Sequence, residues 1–300
     1  MTTAAPSDEP LVRIDNVTKV YETGGLLRGR PLRVVDRVSL TVGRGEIVGL
    51  VGESGSGKST LGRMVLRLET LTGGRLWFDG RDITHAGRHE MKPLRKAMQV
   101  VFQDPYAALS PRMRVGDFVA EPLRVHTTAN QRERRERVAE LFATVGLNPG
   151  QMSRFPHEFS GGQRQRICIA RAIASAPSFI VADEPITALD VSIQAQIVNL
   201  FKELQQRMGL SYLFIAHDLG MVRYLCDRVA VMLRGRIVEL GPAAAVFNEP
   251  QHPYTRALVS AVPIPDPDIE TRRQRLLFDP DRTPVGEHFE ERRPGHFVLV

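Results

Sequence analysis

The stretch EIVGLVGESGSGKST, Glu46 to Thr60, joins an apolar run of strand length to a glycine-rich turn that opens a helical pattern. A continuous apolar run is buried on both faces, as in a parallel sheet. Gly52 to Thr60, GESGSGKST, has the form G-x-x-x-x-G-K-[ST] in the strand-to-helix context that this motif requires. Its glycines let successive backbone N–H groups curl around phosphate oxygens. Lys58 can reach the β- and γ-phosphates of a nucleotide as a point charge. The Ser59 hydroxyl is placed for Mg²⁺, and Thr60 lies in the same first turn. The candidate phosphate-binding residues are therefore Gly52, Glu53, Ser54, Gly55, Ser56, Gly57, Lys58, Ser59 and Thr60.

Further apolar runs share the length and composition of strands: MQVVFQ from Met98, SFIVADE from Ser178, SYLFIAHD from Ser211 and VAVML from Val229. Ile193, Ile197, Leu200, Leu204 and Met208 form one stripe at helical spacing, with Asp190 or Ser192 placed to cap it and Gly209 to end it. Strands alternating with helices predict an α/β fold. Two regions break the rhythm. LVRIDNVTKVYET and LRVVDRVSLTV predict antiparallel strands, with TGGLLRGRP as the loop between them. From about Asp104 to Ala176 the pattern is mostly helical, with turns at Pro105, Pro111, Pro149 and Pro156, which predicts a helical subdomain inserted into the sheet's connectivity. Past Gly241 prolines become frequent, and PIPDPDIE from Pro263 reads as extended and exposed. The last thirty residues, polar and charged, read as a C-terminal extension or a partly ordered tail. There is no internal repeat.

SFIVADE ends on Asp183 and Glu184. A carboxylate at the C-terminal edge of a strand, beside a phosphate loop, is placed to hold Mg²⁺. The next carboxylate is placed to polarise an attacking water as a general base. A second anion-site pattern lies downstream, in FSGGQRQRICIARA, Phe159 to Ala172. Ser160, Gly161, Gly162 and Gln163 stand directly before a helix-forming run, where N–H groups and the helix dipole favour an anion.

Taken in order, these motifs resemble the ATP-binding cassette (ABC) ATPases, whose hallmark is an SGGQ signature between the P-loop and the strand ending in Asp-Glu. Phe159 stands where that family commonly has leucine, at a position expected to be packing. The resemblance implies a P-loop NTPase (RecA-like) core with an antiparallel β subdomain and an inserted α-helical subdomain, together the ABC nucleotide-binding domain. It would span residues 8–248, with the helical subdomain at about 104–176, followed by a C-terminal extension over 249–300. ATP and Mg²⁺ are the implied cofactors. Gln103 in VFQDP resembles the glutamine that contacts Mg²⁺ and the attacking water. Asp190 in TALD resembles the D-loop aspartate, and His217 in IAHD the switch histidine near the γ-phosphate. Tyr21 in KVYET resembles the aromatic that stacks on adenine. By this resemblance the catalytic candidates are Glu184, His217 and Gln103, and the metal candidates are Ser59, Gln103 and Asp183. In this family two ATPase domains face each other head to tail, and each ATP lies between one P-loop and the other domain's signature helix. The second anion site would then serve the partner's nucleotide.

Three segments narrow the resemblance to the dipeptide and oligopeptide importer ATPases. They are VFQDPYAALSPRMRVGDFVAEPL (Val101–Leu123), DEPITALDVSIQAQIVNL (Asp183–Leu200, with Thr187 where serine is common) and EPQHPYTRALVSAVPIPDP (Glu249–Pro267). The similarity runs from about residue 10 to 267, with PGHFV near the end. The tail lacks the clustered cysteines that some such subunits carry, which fits a subunit without an iron–sulfur cluster. The implied partners are a second, non-identical ATPase, two membrane-spanning permeases and an external solute-binding protein, with the chain peripheral on the cytoplasmic face of the membrane. Nickel and glutathione-like solutes are alternative cargoes within the same branch.

Bulk properties agree. The 300 residues are 42% hydrophobic and 25% charged, enough for one large or two modest domains. No apolar run approaches the roughly 18 residues that span a bilayer, and no secretory pattern opens the chain. Cys168 and Cys226 are expected to pack as small hydrophobes. The net charge of +6 favours an anionic partner without choosing one. RERRER (Arg132–Arg137) alternates with acids and reads as a solvated helix face. A nucleic-acid-directed cassette ATPase is the rival class. It would carry a long coiled-coil insertion or a second cassette, and the sequence has neither, so no nucleic-acid partner is expected. An exporter would lack the C-terminal extension.

Overall fold

The apolar runs form strands whose alternate residues feed two separate cores. In a computed structural model, which describes residues 9–23, 30–262, 276–279 and 286–300, β1 (Val12–Thr23) pairs antiparallel with β2 (Arg30–Val42). The predicted loop between them, at 24–29, and PIPDPDIE lie outside the described residues. β3 (Ile47–Val51) leads through the glycine-rich loop into α1 (Lys58–Val65). β4 (Gly73–Phe78) and β5 (Arg81–Asp82) complete a four-stranded antiparallel sheet in the order β2-β1-β4-β5. α2 (Arg88–Ala97) then runs into β6 (Met98–Val101).

Between β6 and the next core strand the chain is helical. It contains α3 (Pro105–Ala108), α4 (Val115–His126), α5 (Gln131–Thr144), two 3₁₀ turns and α6 (Gly161–Ile173). Asn130 and Glu133 form a reciprocal capping box at the start of α5, and its RERRER run is an exposed face carrying the Arg132–Glu136 and Arg137–Glu140 pairs. The alternation then resumes with β7 (Phe179–Asp183), α7 (Val191–Met208), β8 (Ser211–Ala216), α8 (Leu219–Leu225) and β9 (Arg228–Leu233). α7 starts at Asp190, whose side chain makes no capping bond, and ends at Gly209 in the left-handed conformation. β10 (Arg236–Pro242), α9 (Ala243–Asn248), α10 (Pro253–Ala261), β11 (Phe289–Arg293) and β12 (His296–Leu299) follow.

The main sheet has the order β11-β12-β10-β9-β3-β8-β7-β6. The five strands from β9 to β6 are parallel, and β10, β12 and β11 extend that sheet antiparallel. Its two faces explain the continuous apolar runs. Ile47, Val51, Ile180, Ala182, Tyr212 and Phe214 pack on one side with α4, α6 and α7. Val48, Leu50, Phe179, Val181, Leu213 and Ile215 pack on the other with α1 and the antiparallel sheet. Phe201 of α7 meets Tyr212 and Phe214 edge-on, ring centroids 5.5 Å apart in each case. Such pairs add about 0.5–1.5 kcal/mol beyond area burial.

The last described residues add to the main sheet. β12 joins β10, with His296, Val298 and Leu299 buried. A Pro294–Gly295 turn flanked by short alternating runs is a hairpin signal, and the charge of EERR on the exposed edge strand masks it. Cys168 and Cys226 are buried, and burial pushes the Cys168 thiol up to about 12 and raises that of Cys226 as well. Both remain protonated and inert.

Candidate functional site

The glycine-rich loop sits at the C-terminal end of β3, with β7 and β8 ending beside it. Gly57 adopts φ +104°, and a Cβ there would stand 2.5 Å from the Val34 carbonyl of β2. Only glycine satisfies both the conformation and the close approach. The contact also seats the antiparallel sheet against the loop. Tyr21 lies on the neighbouring strand, paired with Leu32, half-buried, with Lys19 Nζ 4.8 Å above its ring.

Lys58 is buried, and its Nζ donates to the carbonyls of Gly52 and Glu53, both at 2.7 Å. An ammonium has three donors, so one remains for a ligand. Burial lowers its proton affinity from the ordinary 10.5, against the raising influence of Glu184, Asp183 and Glu53. Ser59 Oγ donates to Asp183 Oδ1 at 2.7 Å. Burial raises the Asp183 carboxyl above 3.8, opposed by the Ser59 bond and by Arg63 and Lys58. In both groups burial penalises the charged form, a penalty that an added charge of opposite sign would relieve.

Glu184 follows Asp183 with φ +47°, outside the regions that an acidic side chain ordinarily occupies. Such backbone carries strain on the order of 1–3 kcal/mol and clusters at functional sites. Its amide is held by the Ile215 carbonyl at 3.0 Å. Its side chain is the hub of the site. Oε2 accepts from Gln103 Nε2 at 2.9 Å and from Thr187 Oγ1 at 3.3 Å, and lies 3.6 Å from His217 Nδ1. Among the described residues no protein donor reaches Oε1, which is left for water. Because Gln103 turns its NH₂ to a carboxylate, its amide oxygen remains available to a cation. Glu184 and His217 line a cleft with Gly52, Glu53, Ser54, Leu219 and Leu258.

Ser160 to Gln163 are built differently. Ser160 caps α6 through a capping box: its Oγ accepts from Gln163 N at 3.4 Å, and Gln163 Oε1 accepts from Ser160 N at 3.0 Å. Gly162 is closely packed, since a Cβ would lie 2.5 Å from Ile193 Cγ2 of α7. Helix α6 packs against α3, α4, α5, α7 and β6. Among the described residues none of its hydrogen bonds or ion pairs reaches the Gly52–Thr60 loop. Gln103, Glu184 and His217 therefore come together with the P-loop, Lys58, Ser59 and Asp183. The signature residues do not join them, and Asp190 stands at the start of α7, next to the signature helix rather than beside Lys58.

Two contributors were not singled out from the sequence. Thr187 carries no sequence signal beyond a departure from serine, yet it bonds Glu184. Tyr254, buried in α10, places its hydroxyl 2.9 Å from the Glu53 amide, which donates to it. The run HPYT carries no local pattern that would mark it as a P-loop neighbour.

The family profile described as ABC transporter matches residues 35–187, slightly more than half of the chain. The chain belongs to the ABC transporter family. A second profile, described as oligopeptide/dipeptide transporter, C-terminal region, matches residues 238–296 of this ABC protein. The oligopeptide transport ATP-binding protein OppF of Bacillus subtilis is 54% identical over 274 residues, 89% of this chain and 90% of that one. The dipeptide transport ATP-binding protein DppF of Lactococcus lactis is 51% identical over 294 residues, 96% of this chain and 93% of that one. Among solved structures, the dimeric post-hydrolysis state of the ATP-binding cassette MJ0796 bound to ADP and Pi superposes with a TM-score of 0.70. That cassette has 29% identity to this chain and covers 77% of it and 98% of its own length. The CbiO1 protein of Clostridium perfringens, described as part of an ABC transporter complex, gives a TM-score of 0.71 at 27% identity over 81% of this chain and 92% of its own. The fold is that of an ABC ATPase cassette.

Proposed function

We propose that this chain is the ATP-hydrolysing subunit of a peptide importer, acting as one half of a head-to-tail pair of cassettes. The carrying observation is the separation of the signature residues Ser160–Gln163 from the chain's own P-loop. A helix N-terminus with uncommitted N–H groups suits a phosphate, and the nucleotide it suits is the one on a partner cassette. The dimeric, product-bound relative supports this reading, as do the names of the peptide-transport relatives and the C-terminal profile.

The residues divide the work. Lys58 and the loop amides bind the phosphates, and Tyr21 offers a face to adenine. Ser59, Asp183 and the Gln103 amide oxygen are an all-oxygen donor set of the kind that hard cations take. They would hold the Mg²⁺ that accompanies ATP, which would supply neutralisation of the phosphate charge. Glu184 Oε1 accepts the proton of the attacking water, while Gln103 and Thr187 fix the other carboxylate oxygen. His217, half-exposed beside Glu184, is positioned to sense the γ-phosphate. Because the second half of the contacts forms only on closure, ATP has different affinities for closed and open pairs, and this difference drives the motion. Moving such an equilibrium from 1:99 to 99:1 takes about 5.5 kcal/mol.

Among the described residues no helix is long and apolar enough to cross a membrane. The solute path would then belong to two permease subunits, with a second ATPase that is not identical and an external binding protein, and this chain would sit on the cytoplasmic face. The test is affinity capture from detergent-solubilised membranes, followed by reconstitution of the captured set into liposomes. Two permeases, a second cassette and ATP-dependent uptake of di- or oligopeptides are expected. Uptake of nickel or glutathione without peptide would overturn the cargo. Ribosomes or nucleic-acid enzymes in place of permeases would overturn the transporter.

A further inference from the structure

We infer that Tyr254 of the C-terminal extension is a positioning residue for the phosphate loop, so that the docked state of helix α10 sets how well the site binds ATP. The inference rests on the reading of Gly52–Thr60 as the ATP site. It concerns one peptide unit, Gly52–Glu53, which is held from both sides. Its carbonyl accepts from Lys58 Nζ at 2.7 Å, and its N–H donates to the Tyr254 hydroxyl at 2.9 Å. A rotation of that peptide plane would break both bonds together. It would also remove one of the two carbonyls that aim the lysine.

The hydroxyl is held in place by the main sheet. Glu239 of β10 is fully buried, and its carboxylate accepts from the amides of Gln251 and His252 at 2.9 and 2.8 Å. His296 of β12 approaches the same carboxylate at 2.7 Å. His252 Nδ1 then accepts from the Tyr254 amide at 3.1 Å, capping α10. The Tyr254 ring packs on Phe278, centroids 5.2 Å apart. Burial raises the phenol to about 12, so it stays neutral and protonated. One turn further along α10, Leu258 lines the same cleft as Gly52, Glu53, Ser54, Glu184 and His217. The extension thus forms part of the site wall as well as holding its loop.

Tyr254→Phe keeps the ring and removes the oxygen. In the full chain, with ATP in EDTA to prevent turnover, its Kd for ATP is expected to rise about three- to tenfold, the range that one neutral hydrogen bond contributes to an equilibrium. Amide exchange at Glu53 is expected to quicken, with the thermal midpoint held. An unchanged Kd, or a Kd change accompanied by an equal loss of global stability, would overturn the inference. Reciprocity supplies a measurement on the unaltered chain: ATP should slow amide exchange in 253–261. No slowing there would also overturn it. Lys58→Ala serves as the separate control. If it binds ATP as the parent does, the reading of the site itself fails. If it loses ATP while Tyr254→Phe is normal, only the role of Tyr254 fails.

Discussion

The P-loop site and the signature element are both helix N-termini introduced by glycines, yet one is finished within the chain and the other is not. Around Lys58 the chain supplies an ammonium with a free donor, side-chain oxygens and a carboxylate hub on Glu184, drawn from the ends of β3, β6, β7 and β8. Around Ser160 it supplies a cap and close packing. This division is what the proposed head-to-tail pair requires: one element that holds a nucleotide and a second that serves the nucleotide of the partner.

The largest effect should come from the finished half. Glu184→Gln keeps the shape and the bonds to Gln103 but removes the base, so steady ATP hydrolysis in the assembled transporter should fall by about 10²–10⁴-fold while ATP binding persists. Unchanged turnover would sink the assignment. The unfinished half should give the next effect. Ser160→Arg loses the cap, a penalty of about 1 kcal/mol in stability, and places a bulky cation where the partner's phosphates would approach. Turnover at the partner's P-loop should fall by roughly ten- to a hundredfold while this chain's own ATP affinity stays put. Equilibrium binding separates the two, and loss of binding in this chain would contradict the head-to-tail arrangement.

Smaller effects probe what holds the halves in register. Gly162→Ala pushes a methyl into Ile193 across the α6–α7 contact. Overpacking of this kind should lower stability by about 1–3 kcal/mol, seen as a drop of several degrees in Tm, and it should impair signature function more than ATP binding. The smallest effect concerns pH. Burial holds His252 below its ordinary 6.5, so it is neutral in the folded chain and charges more readily when unfolded. Its contribution to stability is present above about pH 6.5 and is lost as pH falls through the depressed folded value. His252→Asn retains a cap acceptor and should flatten the acid side of the stability profile. An unaltered profile would assign the acid sensitivity to other groups.

Much of this was written locally. GESGSGKST, FIVADE and SGGQ each span a few residues whose chemistry follows from spacing: a turn that needs glycine, a strand edge that needs a carboxylate, a helix start that needs a cap. The same local order made the five parallel strands and the stripe of α7 legible, because two-sided burial and helical periodicity are properties of neighbouring residues. The last hairpin was hidden, since its burial depends on β10 being available beside it. Thr187 and the strained φ of Glu184 were hidden because strain and the turning of a side chain have no signature in composition.

By itself, then, the sequence determined the candidate residues for the chemistry, the α/β class and the helical stretch interrupting it. The tertiary structure alone decided which of those residues meet. It gathered Gln103, Glu184 and His217 from three separate strand ends and left Ser160–Gln163 apart on α6. It also brought Tyr254 to Glu53 across 201 positions of chain. The reason is physical: local sequence fixes backbone preference and burial pattern, whereas contacts between distant segments exist only once the sheet order has been set by packing.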